Sequence, residues 1–222
     1  AGVKNIYLTT PSLDSKINPA VVYAAKKCGV KKIYKTGGAH SIAALAYGTK
    51  SFEKVDKIVG PGNMFVALAK KEVFGDVGID MVAGPSEVTI VADIFANPEF
   101  VAADLIAQAE HDLYAQSILI TDNSKLIKLV DLFLKKQLNK LPKKKIAFSS
   151  LKKFGLAILV DNKKKIAEII NTIAPEHLEL CTKFNNKIIK DVENVGSIFI
   201  GKFSPEAMGD YLAGPNHVLP TS

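Results

Sequence analysis

SEVTIVADIFANPEFVAADLIAQAEHD, residues 86–112, holds a strand, a junction and a helix in sequence. The run EVTIVA is rich in β-branched residues, as in a strand. Asn97 and Pro98 then supply an N-cap and a first helical residue. The helical pattern that follows ends on LIAQAEHD, residues 105–112, with Gln108 and His111 three apart. Residues at i and i+3 share one helix face. One reading is a helix end meeting solvent, and the other is a pair of metal ligands.

The same strand-then-helix rhythm runs both ways from this stretch. KNIYLTT leads into NPAVVYAAKKCG, where Asn18, Pro19 and Gly29 repeat the start and stop signals. KKIYKTGG leads into SIAALAYGT, and VDKIVGPGN into MFVALAKKEVFG. Further on come QSILIT, SKLIKLVDLFLKKQLNKL, LAILV, NKKKIAEIINTI, HLELCT, FNNKIIKDVEN, GSIFIG and SPEAMGDYLAG. About eight short strands separated by helices predict an α/β fold with mainly parallel sheets. Gly84-Pro85 in MVAGPSEV breaks the rhythm. The boundary is placed near Ser86, giving domains 1–86 and 87–222.

Composition excludes several classes. The 222 residues are 48% hydrophobic and 23% charged, a globular balance. No apolar run reaches the roughly 20 residues of a membrane helix, and no signal-peptide layout is present. Net charge is +7, yet every one of the 29 basic residues is Lys. Arg reads base edges and forks onto phosphates, and Lys replaces it poorly, so nucleic acid is not the expected partner. Cys28 and Cys181 form no CxxC spacing or disulfide framework, and a reducing cytoplasm is expected. The chain opens without Met and stops at NHVLPTS, as if cut from something longer.

Ligands in open α/β sheets sit beyond the carboxyl ends of strands. TGGAHS, GPGN and AGPSE are read as such strand-to-helix loops, rich in Gly where backbone approaches a ligand. None is a dinucleotide or phosphate fingerprint. The four histidines, His40, His111, His177 and His217, stand at loops or element ends. APEHLEL places Glu176 and His177 together at a strand mouth, which suits general acid–base chemistry or, equally, a loop carboxylate beside a surface imidazole. Asp210, in EAMGDYLAG, offers a carboxylate from another helix. With an imidazole and an amide oxygen, it would suit a zinc-class ion.

Taken together, VDKIVGPGNMFV, IDMVAGPSEV, DLIAQAEHD, APEHLEL and GDYLAGPNHVLPT resemble, in order, the signature blocks of the histidinol dehydrogenase family. The resemblance implies two incomplete Rossmann-like domains, an architecture shared with aldehyde dehydrogenases. It implies NAD-dependent oxidation of L-histidinol to L-histidine through L-histidinaldehyde, zinc, and a homodimer whose site is shared across subunits. It assigns Glu176 and His177 to catalysis, Gln108, His111 and Asp210 to zinc, and His40 and Asn63 to NAD. Ser86, Gln108, His111, His177, Asp210 and His217 fall at substrate-contacting positions. By the same resemblance His177 takes the alcohol proton, and Glu176 activates the water that attacks the aldehyde.

Three departures from the family pattern stand out. His40 replaces a Gln, an N-terminal region with an NAD-contacting Tyr is missing, and so is a C-terminal segment with a fourth zinc ligand. Two rival readings follow: a truncated, inactive core of that enzyme, and an aldehyde-dehydrogenase-like enzyme with a Cys nucleophile.

Overall fold

Asn18 and Asn97 start two helices in the same way. The Asn18 side chain accepts the N–H of Ala20 at 2.9 Å, and Pro19 takes the first helical position. Asn97 accepts the N–H of Glu99 at 2.9 Å ahead of Pro98. Each cap satisfies one of the orphan donors of a first turn, where proline has no N–H to orphan. The computed structural model describes residues 2–211 except Leu13, Ser15, Ala83 and Lys143, and only the backbone of residues 210 and 211. It divides into two compact units, Ala1–Val82 and Ala83–Ser222.

The first unit runs β1 (Tyr7–Thr9), α1 (Pro19–Lys27), β2 (Lys32–Tyr34), α2 (Ala39–Tyr47), β3 (Lys57–Ile58), α3 (Met64–Glu72) and β4 (Gly78–Ile79). β1 pairs with β2 and β3 with β4, both in parallel. Ile42, Leu45 and Ala46 of α2 pack with Ile58, Val73 and Val77 to make its core. The two-residue strand β4 was not anticipated from sequence, because GDVGID is too short and too Gly-rich to carry a strand pattern.

The GPGN loop is built on two glycines that no other residue replaces easily. Gly60 sits at φ +121, and a Cβ on Gly62 would fall 2.4 Å from Val66 Cγ1. Lys70, buried on α3, pairs with Asp80 and donates to the Gly60 carbonyl at 3.0 Å. The Gly60 N–H donates back to Asp80 Oδ2 at 2.7 Å.

The second unit runs β5 (Glu87–Ala92), α4 (Pro98–Ala109), β6 (Gln116–Thr121), α5 (Ser124–Leu138), α6 (Lys144–Phe154), β7 (Leu156–Leu159), α7 (Lys165–Ile173), β8 (His177–Cys181), α8 (Asn185–Ile189), β9 (Ser197–Ile200) and α9 (Ala207–Tyr211). Its five strands lie in the order β7-β6-β5-β8-β9 and all pair in parallel. From β5 the chain winds out to β7, then returns to β8 on the other side of β5. Helices cover both faces. Val88, Ile90 and Ala92 meet Val101, Ala102 and Leu105 of α4 and Leu126 and Val130 of α5. Val91, Ile118, Ile120, Leu178 and Leu180 meet Ile166 and Ile170 of α7 and Ile188 of α8. Every residue of β5 is therefore buried, the polar Glu87 and Thr89 included. The α6 helix fills a stretch to which sequence assigned no element, packing on α4 through Ala147.

Candidate active site

Glu87, Glu176 and His177 stand together at the amino ends of β5 and β8, not beyond the carboxyl ends as expected. AGPSE is accordingly not a strand-to-helix loop but the lead-in to β5. At the carboxyl end of β5, Asp93 is buried and accepts the N–H groups of Phe95 and Lys183, each at 2.9 Å. That carboxylate ties together the turns leaving β5 and β8.

His177 opens β8 between Val88 of β5 and Ser197 of β9, with 2% of its surface exposed. Its Nδ1 lies 3.2 Å from the backbone carbonyl of Glu87. A carbonyl only accepts, so the neutral ring that makes this bond carries its proton on Nδ1 and its lone pair on Nε2. Glu176 precedes it, also buried, and its Oε2 accepts the Glu87 N–H at 3.2 Å. Residue 87 thus fixes the acid through its N–H and the imidazole through its C=O. Ser86, half-buried, is the adjacent residue and accepts the Gln116 N–H at 3.1 Å through its carbonyl. The arrangement offers a base and a carboxylate held side by side out of bulk water.

Three carboxyl groups that sequence reasoning did not single out stand on the same sheet face. Glu206 Oε2 is 3.3 Å from His177 Nδ1, against 3.7 Å for Glu176 Oε2. Glu179, two residues after His177, accepts the N–H of Glu206 through Oε1 at 2.6 Å. Burial pushes its carboxyl up to about 9, helped by Asp104, which faces it from α4. Burial likewise holds the Asp104 carboxyl above its ordinary range. The signal that would have found Glu179 is strand alternation, which puts residues 177 and 179 on one face.

Gln108 and His111 do not share a helix face. α4 ends at Ala109 with Glu110 as its cap, and His111 follows in a turn, its N–H reaching the Gln108 carbonyl at 3.2 Å. Gln108 is 1% exposed, whereas His111 is exposed. Asp210 lies on the short α9, and His217 lies outside the described residues. In the first unit His40 is exposed in the first turn of α2, after Gly38 at φ +77. Asn63 caps α3, accepting the Val66 N–H at 3.2 Å through its side chain. These two do stand at carboxyl ends, those of β2 and β3.

The sequence model of the histidinol dehydrogenase family matches residues 1–222. The chain belongs to that family. The histidinol dehydrogenase of Clostridium acetobutylicum is 54% identical over the whole of this chain. The crystal structure of histidinol dehydrogenase from Elizabethkingia anophelis superposes with a TM-score of 0.94 at 46% identity, across 100% of this chain and 51% of that one. The provisionally named aldehyde dehydrogenase PutA of Anabaena variabilis is 10% identical. It covers 91% of this chain and 58% of its own at a TM-score of 0.55, a likeness of fold alone. The chain spans about half the length of the curated relatives it matches, 52% of the Clostridium protein.

Of this family's expected metal ligands, Gln108 is a buried amide near the end of α4. Its Nε2 is buried and has no hydrogen-bond partner. A buried donor left so costs about 1–3 kcal/mol, but a metal would take the amide oxygen Oε1, so the orphaned Nε2 does not itself point to an ion. Among the described residues no group of three or more His, Cys, Asp or Glu stands together to hold an ion. A thiol mechanism has no support. Burial pushes the Cys181 thiol up to about 12, the opposite of an activated nucleophile, and Cys28 is the exposed cap of α1.

Proposed function

We propose that this chain carries most of the active site of an enzyme that oxidises L-histidinol to L-histidine in two NAD-dependent steps, through L-histidinaldehyde. Family membership supports the reaction, and the contact between His177 Nδ1 and the Glu87 carbonyl is the observation that carries the mechanism. It orients the ring so that Nε2 is the basic nitrogen, ready to take the alcohol proton as hydride leaves the carbon. Glu176, held by the Glu87 N–H, serves the second step, drawing a proton from the water that attacks the aldehyde carbonyl. An aldehyde has to be hydrated before it can yield a second hydride. Holding it in a site closed to bulk water between the steps limits its loss.

The oxidant, NAD, would be met by His40 and Asn63 of a first domain over residues 1–86, and two NAD in succession would each accept one hydride. Gln108, His111 and Asp210 of the second domain would hold zinc, which would anchor and orient the substrate's nitrogens. Ser86 and His217 complete the substrate contacts. A homodimer in the cytoplasm, with the site shared across subunits, belongs to the same reading. Among the described residues no helix is long and apolar enough to cross a membrane.

The test is a chimaera in which residues 1–222 replace the matching half of the Clostridium relative. It is expected to form two NADH per L-histidinol, and to lose both with His177→Asn. A folded chimaera that binds NAD but forms no NADH from L-histidinol or L-histidinaldehyde would sink the proposal.

A further inference from the structure

The sheet face that carries His177 also carries a chain of carboxyl groups leading back to it. Glu179 lies opposite Ile90 of β5 and Phe199 of β9, with 1% of its surface exposed. Buried there, it favours the protonated form at neutral pH. A neutral acid still accepts through its carbonyl oxygen, and Oε1 takes the Glu206 N–H at 2.6 Å. This one bond fixes the segment that returns from β9 across the face. It also sets the Glu206 carboxylate, itself 7% exposed, at 3.3 Å from His177 Nδ1.

We propose that Glu206 is the positioning residue of His177, a buried carboxylate on Nδ1 that stabilises the imidazolium formed when Nε2 takes the substrate's proton. This rests on the reading of His177 as the base. The Glu87 carbonyl fixes the tautomer by itself, so what Glu206 adds is charge. A carboxylate within about 4–6 Å favours the protonated ring and raises its pKa by about 1–3 units. The other acidic groups nearby are Glu176 ahead of β8, Glu87 on β5, and the pair Glu179 and Asp104 further along the face. Of these, Glu206 and Glu176 are the carboxylates within 4 Å of the ring nitrogen.

The experiment is an NMR titration of the four imidazoles in the 222-residue chain, with His177→Asn assigning the resonance. Glu206→Gln keeps the backbone N–H that Glu179 holds, and so keeps the segment in place. It is expected to lower the His177 pKa by about one unit or more. Glu179→Gln, which keeps an acceptor for that N–H, is expected to leave it unchanged. A Glu206→Gln protein that titrates like the parent overturns the proposal. In the chimaera, Glu206→Gln should move the acid limb of the kcat profile to lower pH without changing the KM for NAD. If the imidazole shifts but neither chimaera oxidises L-histidinol, the reaction assignment fails while the coupling of Glu206 to His177 stands.

Discussion

Lys70 reaches Asp80 and the Gly60 carbonyl from inside the first unit, and so clamps the loop that ends at Asn63. Burial pushes the Asp80 carboxyl up, but Lys70 and the N–H groups of Gly60 and Met81 outweigh it and hold it below its ordinary range. A depressed folded pKa contributes stability that is present above the unfolded value, near 4. That contribution is lost as pH falls through the folded value. The first unit is therefore expected to lose stability below about pH 4. At neutral pH, Lys70→Met strands a buried carboxylate and should cost about 3–5 kcal/mol in urea unfolding. A loss under 1 kcal/mol would mean that the pair is solvated.

Glu179 titrates in the opposite sense. Its folded pKa is raised to about 9, so its contribution is complete below the unfolded value and drains away as pH climbs toward 9. Glu179→Gln should raise Tm at pH 8 and flatten its slope between pH 5 and 9. Parallel Tm curves for the two proteins would show that the carboxyl is already ionised in the fold.

Glu176→Gln, in the chimaera, is expected to slow the aldehyde-to-acid step by about 100- to 10,000-fold and to spare the alcohol step more. Supplying L-histidinaldehyde directly isolates the second half. Loss confined to the alcohol step would reverse the roles given to Glu176 and His177.

Gln108→Leu separates holding metal from holding the fold. Removing a buried amide whose Nε2 has no partner should stabilise the metal-free chain by about 1–2 kcal/mol, and weaken zinc binding in equilibrium dialysis. A destabilised apo chain would show that the amide is satisfied within the protein.

The helix starts at Asn18 and Asn97 and the central strands of the second unit were legible because the causes are local: a cap beside a proline, and an uninterrupted apolar run. α6 was not, because its buried positions include Ala147 and Ser150, set among lysines, and small or polar residues carry no apolar stripe. The end of α4 was misplaced by two residues, since nothing in QAEHD marks Glu110 rather than Asp112 as the cap. Glu176 and His177 could be picked out as neighbours in sequence. Glu206 lies 29 positions from His177, and only the return of the chain across β9 brings them together.

His177 is the first residue of a strand with a neighbour on each side, and its ring nitrogen has partners at 3.2 and 3.3 Å. Such a side chain has surrendered much of its rotational freedom during folding, so little entropy would remain to be lost on binding a substrate. Where a catalytic histidine on a mobile loop adapts to its substrate, His177, as the proposed base, would oblige the substrate to adapt to it, and errors of alignment would be corrected by whatever grips the substrate.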